Sequence, residues 1–213
     1  IYIHEGGKAA ITGNVSILAK QGGDGFADGI KLYNGGSALT INGNLAMKGT
    51  GSGNDAYGVF AAQKGGYGST KTYQATGINI YDKDGAAFTL NGNLDMKVKG
   101  VGVDMRGSEK NAVTIAGGTI FTPDDGEEAS YKAVAATSGT FAMGMNDAKT
   151  GSNGKDVVVQ GTISLGKKGT VDLGLGSSKS RWTGIADNKD GHPMNLYLSD
   201  GGMWENRRTS KVQ

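Results

Sequence analysis

Two stretches of this chain carry nearly the same pattern of residues, and this repetition constrains the fold more than any other feature. Residues 29–33 (GIKLY) lead into residues 38–48 (ALTINGNLAMK). Residues 77–81 (GINIY) lead into residues 87–97 (AFTLNGNLDMK). In both copies apolar and polar residues alternate, as they do in a β-strand with one buried face. The sequence therefore predicts a repeated set of short strands joined by turns.

A glycine stands in the middle of each repeat, between two apolar positions that share a face. The glycines of this set are Gly13, Gly43, Gly92, Gly117 and Gly161. A residue without a side chain in such an inward-facing slot predicts a bend or bulge between two strands. We therefore expect these five glycines to be structural and equivalent to one another.

The spacing of these glycines predicts the architecture. Two of the intervals are 30 and 25 residues long, which suits one round of a parallel β-helix with a continuous core. The two longer intervals are expected to hold a degenerate round or an insertion, and residues 58–61 (GVFA) and 133–136 (AVAA) are candidate strands of degenerate rounds. A propeller needs four strands per repeat, and a sandwich does not need near-identical strand pairs. The predicted fold is an all-β parallel β-helix with loop insertions between its rounds.

Composition excludes the competing fold classes. Glycine accounts for 39 of the 213 residues and proline for only 2. So many glycines disfavour a helical protein, because each costs about 1 kcal/mol relative to alanine inside a helix. Collagen needs glycine at every third position, and disorder needs a poorer apolar content than the 37% found here. The net charge of +2, without a long basic cluster, disfavours nucleic acid as a partner.

The C-terminal part of the chain has a different pattern. Residues 180–184 (SRWTG) are followed by residues 195–206 (NLYLSDGGMWEN) and then by residues 210–212 (SKV). This order resembles the end of the passenger domain of monomeric, adhesin-type autotransporters (type V secretion) of Gram-negative bacteria. In that family a W-T-G step, an L-x-L-S-x-G strand and a closing W-x-N and S-x-V follow one another. The specific part of the resemblance spans residues 179–213.

The resemblance implies a right-handed parallel β-helix that is displayed at the cell surface. A C-terminal translocator barrel in the full precursor would export it through the outer membrane. The chain begins without a methionine or a signal sequence, so it is expected to be a piece of such a precursor. Residues 1–178 would form the rounds of the β-helix, and residues 179–213 would form the terminal, capping segment of the same domain. Trp182 and Trp204 suit that cap, because the last round otherwise exposes apolar surface and strand edges.

A polar insertion between the two strong repeats is the segment most suited to recognition. It spans residues 64–76 and contains Lys64, Tyr67, Lys71 and Tyr73. Tyrosines on an adaptable loop offer amphipathic contact area, and lysines add polar reach. These four residues are candidate ligand-binding residues, and the alternative is an insertion without a function.

An acidic run that follows Pro123 is the best candidate for a metal site. Its carboxylates belong to Asp124, Asp125, Glu127 and Glu128. Carboxylate oxygens on a flexible loop can bind Ca²⁺. Most acidic runs of this kind are solvated and bind no ion, however. No cofactor is predicted from the sequence.

The sequence contains no set of residues that predicts a catalytic site. His4 and His192 lack evident partners for a dyad or a metal site. Parallel β-helices that degrade polysaccharides need carboxylates at a controlled separation. The strand acids Asp95, Asp104 and Asp172 do not fall into one column of the repeats. A polysaccharide lyase or hydrolase therefore stays an alternative that rests on fold analogy, and we expect a protein that is not an enzyme.

Together these observations favour a surface adhesin or a self-associating passenger fragment. A long rigid face lets weak contacts add through multivalency. The expected partners are a glycan or protein of a host surface, or the same protein on a neighbouring cell. They would be contacted by the loops or by polar ladders such as Asn14, Asn44 and Asn93. A structural stalk, with the binding head elsewhere in the precursor, is the remaining alternative.

Overall fold

The structure is a computed structural model. It describes residues 1–20, 28–50, 63–64, 72–73, 75–98, 100–122, 132–188 and 191–207. Within these ranges the chain forms strands and turns and no helix. The described residues accordingly offer no helix long and apolar enough to span a membrane. The predicted all-β class is confirmed.

The strands, in chain order, are β1 (Tyr2–His4), β2 (Lys8–Thr12), β3 (Val15–Lys20), β4 (Asp28–Tyr33), β5 (Ala38–Asn42), β6 (Leu45–Thr50), β7 (Gln63–Lys64), β8 (Thr72–Tyr73), β9 (Ala75–Tyr81), β10 (Ala87–Lys97), β11 (Gly100–Arg106), β12 (Ala112–Phe121), β13 (Lys132–Met143), β14 (Val157–Gln160), β15 (Thr162–Leu175), β16 (Arg181–Thr183), β17 (Ala186–Asp187), β18 (Met194–Leu198) and β19 (Met203–Glu205).

All strands except β7 and β8 belong to one large sheet, whose described strand pairs are parallel and fall into three ladders. Ladder A joins β1, β4, β9, β11, β13, β15 and β17. Ladder B joins β2, β5, β10, β12, β13, β15 and β18. Ladder C joins β3, β6, β10, β12, β14, β16 and β19. Four of the longer strands contribute to two ladders each.

Equivalent apolar residues stand side by side within each ladder. In ladder A, Leu32 pairs with Ile80, and Ile80 pairs with Met105. In ladder B, Ile41 pairs with Leu90. All five side chains are fully buried in one continuous core. The alternation in the sequence thus determines which side chains are buried. Their burial stabilises the folded state by about 25 cal/mol per Å² of apolar surface removed from water.

The two long intervals between repeats have different contents. In the first, β4 pairs directly with β9, so that Ile30 stands beside Ile78 and no strand of the ladder intervenes. The expected degenerate round is therefore wrong there, and residues 58–61 lie outside the described residues. In the second interval residues 133–136 do lie on a strand of ladder A, because Val134 of β13 pairs with both Val103 and Ile163.

The repeat glycines do not point into the core, which corrects the sequence interpretation. A Cβ on Gly43 would overlap the carbonyl oxygen of Gly13, and a Cβ on Gly92 would overlap that of Gly43. The missing side chains of Gly43 and Gly92 therefore face the backbone of the equivalent glycine in the neighbouring repeat. Around Gly13 a Cβ would find open space, but its φ of 114° disfavours any other residue. We call the passage from ladder B to ladder C at these three residues the glycine corner.

Gly117 and Gly161 are not equivalent to the glycines of that corner. A shift of register inside β10 makes Gly117 the partner of Asn93 rather than of Gly92. A Cβ on Gly161 would overlap the hydroxyl of Thr122, at the passage from β14 of ladder C to β15 of ladder A. For Gly117, one extra residue in β10 relative to β12 is enough to break the predicted equivalence, whereas Gly161 belongs to a different passage between ladders.

The passage from ladder A to ladder B is built with buried polar side chains instead, and we call it the polar corner (Ser37, Asp82 and Asn111). The carboxylate of Asp82 accepts hydrogen bonds from the backbone N–H groups of residues 36, 37, 84 and 85. The amide of Asn111 accepts from the N–H of residue 86 and donates to the carbonyls of Asp82 and Arg106. Each buried turn thus finds its hydrogen-bond partners in a side chain.

The two tryptophans are neighbours in ladder C. Trp182 pairs with Trp204, and their rings stack with centroids 4.8 Å apart and an interplanar angle of 5°. The indole N–H of Trp182 donates to the carbonyl of Gly161, and that of Trp204 donates to the carbonyl of Gly184. Trp182 is fully buried, and Trp204 packs against the core. This arrangement suits the capping role predicted for both.

Candidate functional site

The predicted recognition loop is described only at its base. Lys64 lies in β7 and Tyr73 in β8, and these two strands pair in antiparallel fashion. Tyr67 and Lys71 lie outside the described residues. The base of the insertion is therefore a two-stranded hairpin separate from the large sheet, and its ligand-binding role stays a prediction.

The predicted metal ligands Asp124, Asp125, Glu127 and Glu128 also lie outside the described residues. Among the residues that the structure does describe, no group of three or more His, Asp or Glu side chains is placed to hold a metal ion.

The three strand acids of the enzyme hypothesis stand on different ladders. Asp104 lies in ladder A and pairs with Arg106. Asp172 lies in ladder B and accepts a hydrogen bond of 2.7 Å from the amide of Asn195. Asp95 lies exposed in ladder C. These acids do not come together, so they do not form the pair of facing carboxylates that glycoside hydrolysis uses.

The predicted asparagine ladder lies at the glycine corner. The side-chain oxygen of Asn14 accepts a hydrogen bond from the backbone N–H of Asn44, and that of Asn44 accepts from the N–H of Asn93. Asn44 and Asn93, together with Lys155 and Asp156, line an open polar groove of about 410 Å³. The side-chain oxygens thus link successive repeats, and all three asparagines are exposed.

A second exposed surface lies on the outer side of ladder A, and the sequence analysis did not single it out. We call it the tyrosine face, and its residues are Tyr2, His4, Lys31, Tyr33, Tyr81 and Arg106. Register brings them together from four strands, because His4 pairs with Tyr33, Tyr33 with Tyr81, and Tyr81 with Arg106, while Tyr2 pairs with Lys31.

The rings of the tyrosine face are in contact both between neighbouring strands and along β1. Tyr33 stacks on Tyr81 with centroids 5.6 Å apart, and Tyr2 stacks on His4 with centroids 5.0 Å apart. The ammonium of Lys31 lies 5.9 Å from the centre of the Tyr2 ring and 5.7 Å from that of Tyr33. Tyr2 is 58% exposed and Tyr81 is 42% exposed. Packing of this kind holds large amphipathic side chains in place while their outer parts remain in water.

The charged groups of the tyrosine face each have a partner of opposite sign. The Lys31 ammonium lies 3.6 Å from the carboxylate of Asp28. The guanidinium of Arg106 makes two hydrogen bonds to the carboxylate of Asp104. These bonds raise the pKa of Arg106 above its ordinary value, against an opposing effect of partial burial. The arrangement fixes the direction of the polar groups.

The sequence contains a signal for this face. Tyr33 and Tyr81 occupy the same last position of the repeated segments GIKLY and GINIY. Alternation places that position outward, and the repeat places the two rings side by side. The face contains no loop motif or carboxylate pair, which are the usual sequence signs of a site, so this signal is visible only in the repeat. His4 and Arg106 belong to weaker copies of the repeat and carry no comparable signal.

No protein-family model matches the chain, and no significant match is found among curated proteins or solved structures. The resemblance of residues 179–213 to autotransporter passengers therefore stays a prediction.

Proposed function

We propose that the chain is part of a right-handed parallel β-helix, the passenger of an autotransporter adhesin that is displayed on the surface of a Gram-negative bacterium. Three parallel ladders with a shared core support the β-helix, because each passage of the chain through A, B and C forms one round. Part of the family resemblance falls on β16, β18 and β19, in line with the end of such a stack, while its last part, residues 210–212, lies outside the described residues.

The observation that carries the adhesive role is the tyrosine face. It is a rigid outward surface on which aromatic and paired charged side chains from successive strands stand in register. Exposed aromatic and arginine side chains are enriched in recognition surfaces. On a protein present in many copies on a cell, even weak contacts of this kind add through multivalency. The partner is a glycan or protein of a host surface, or the same protein on a neighbouring cell.

The adhesive role is tested by tethering the chain to the surface of a non-adherent bacterium. Cell aggregation and attachment to cultured epithelial cells are measured against a strain that displays an unrelated β-rich protein at the same density. We expect the displayed chain to increase one of the two. Correctly folded protein that increases neither would contradict the proposal and would favour a stalk.

The contribution of the insertion is tested separately. Residues 65–71 are replaced by Asn-Gly, which closes the β7–β8 hairpin with a two-residue turn and leaves β9 intact. Loss of adhesion in this variant would assign binding to the insertion that contains Tyr67 and Lys71. Unchanged adhesion would assign it to the ladders.

A further inference from the structure

The geometry points to the tyrosine face as a binding site for an uncharged glycan chain. This inference rests on the proposed adhesive function and names the chemistry of its ligand.

The charge pattern of the face selects against a polyanion. Each of its basic groups already has an acidic neighbour: Lys31 has Asp28, Arg106 has Asp104, and the imidazole of His4 lies 3.8 Å from the carboxylate of Glu5. A sulfated or uronic-acid chain would have to compete with these carboxylates and would be repelled by them. A ligand without charge has no such cost.

The side chains of the face match the chemistry of a sugar. Sugar rings combine hydroxyl groups with an apolar C–H surface, and tyrosine combines an apolar ring with a hydroxyl that both donates and accepts hydrogen bonds. The hydrogen-bonded side-chain pairs Arg106–Asp104 and Asn79–Asp28 add donors and acceptors, and their hydrogen bonds fix the directions of these groups before a ligand binds. Such preorganised groups lower the entropic cost of binding.

The size of the face also fits a glycan better than a protein. It is four strands wide and two outward residues long, which is roughly 19 by 13 Å when each strand occupies about 4.8 Å and each outward residue about 6.6 Å. Its plan area of about 250 Å² is well below the roughly 800 Å² that each partner buries in a stable protein interface. The separation of neighbouring strands is close to the length of one pyranose unit, so a chain running along the ladder would place successive sugars over successive strands.

Affinity electrophoresis of the purified 213-residue chain tests the inference. The gels contain hydroxyethyl cellulose, galactomannan or dextran as neutral probes, or polygalacturonate or heparin as anionic ones. The variants are Tyr33→Ala and Tyr81→Ala. Tyr197→Ala is the matched control, because Tyr197 lies in β18 of ladder B, away from the face. Tyr81→Phe separates the hydroxyl from the ring. Melting curves establish that every variant is folded.

We expect at least one neutral polysaccharide to retard the wild-type chain. Tyr33→Ala and Tyr81→Ala should weaken that binding about tenfold, as expected for the loss of one anchoring side chain, and Tyr197→Ala should leave it unchanged. The inference is overturned if no neutral probe binds, if a polyanion binds more tightly than every neutral probe, or if both face variants bind like the wild type.

The same variants separate this inference from the proposed function. If neutral polysaccharide binds through the face but displayed cells do not adhere, the site is correct and the adhesive role is wrong. If displayed cells adhere while Tyr81→Ala and Tyr33→Ala adhere equally well, the adhesive role is correct and the site is wrong.

Discussion

The polar corner and the glycine corner solve the same problem by opposite means. Both must turn a chain between two ladders while successive turns stack on one another, which brings backbone groups close together. At the polar corner a buried carboxylate and a buried amide accept and donate the hydrogen bonds that the turns leave open. At the glycine corner the side chain is removed and the backbones approach directly. The polar corner is stabilised by side-chain hydrogen bonds, and the glycine corner requires the absence of a side chain so that the backbones can approach.

The largest effect is expected for Asp82→Ala in the polar corner. The substitution leaves four backbone N–H groups without their acceptor, and we expect a loss of about 4 kcal/mol in the free energy of unfolding. Asp84→Ala is the matched control, because Asp84 is exposed and its carboxylate accepts the N–H of Gly35. Denaturant unfolding of the two variants measures the difference. Equal losses would mean that the buried carboxylate does not organise the corner.

A second effect, of about 3 kcal/mol, is expected for Gly43→Ala in the glycine corner. The new methyl group would overlap the carbonyl of Gly13, and backbone cannot move aside as a flexible side chain can. The control is Gly151→Ala, where the nearest atom lies 3.6 Å from the added carbon and little change is expected. A thermal melt in which both variants behave alike would remove the steric account of this corner.

The asparagines of the two corners should differ in importance. Asn111 is buried and makes three hydrogen bonds, so Asn111→Ala should cost about 2 kcal/mol. Asn44 is exposed, and its side chain accepts a hydrogen bond from the N–H of Asn93, so Asn44→Ala should cost about 0.5 kcal/mol. The midpoints of urea unfolding of the two variants, each compared with the wild type, measure this difference. A larger loss for Asn44→Ala would reverse the comparison.

The smallest effect is expected at the exposed rim of the polar corner, where Glu109 pairs with Lys168 at 2.7 Å. This pair lowers the pKa of Glu109 and raises the pKa of Lys168. The carboxylate therefore favours the folded state above its unfolded pKa, and that contribution is lost as the pH falls through the folded pKa. The ammonium favours the folded state below its unfolded pKa, and that contribution is lost as the pH rises through the folded pKa.

The pair is tested with Glu109→Gln. Between neutral and acidic pH the melting temperature of the wild type should fall slightly more than that of the variant, because only the wild type loses the carboxylate. The difference should shrink in high salt, as it does for exposed ion pairs. A difference that persists in high salt would show that some other group carries it.

The ladders could be predicted from the sequence, and the corners only in part. Alternation and repetition together place Ile30 beside Ile78 and Ile41 beside Leu90, because both patterns survive in the residues themselves. The direction of Gly43 could not be predicted from alternation, since a bend rotates the chain away from the period of a strand. The role of Asp82 was also hidden, because its four donors come from two turns that are distant in the chain. The pairing of Tyr33 with Tyr81 in the tyrosine face could be predicted from the repeat. The other residues of the face could not, because their positions depend on how all four strands pair.

The stacked indoles of Trp182 and Trp204 give this molecule a built-in optical reporter. They are the only two tryptophans in the chain, so all of its indole fluorescence arises from β16 and β19. Two nearly parallel rings 4.8 Å apart should also couple excitonically and give a strong near-ultraviolet circular dichroism band. Far-ultraviolet dichroism, in contrast, monitors every strand. Melting curves recorded with the two signals therefore compare one end of ladder C with the whole sheet, and their coincidence or separation measures how cooperatively the parallel ladders unfold.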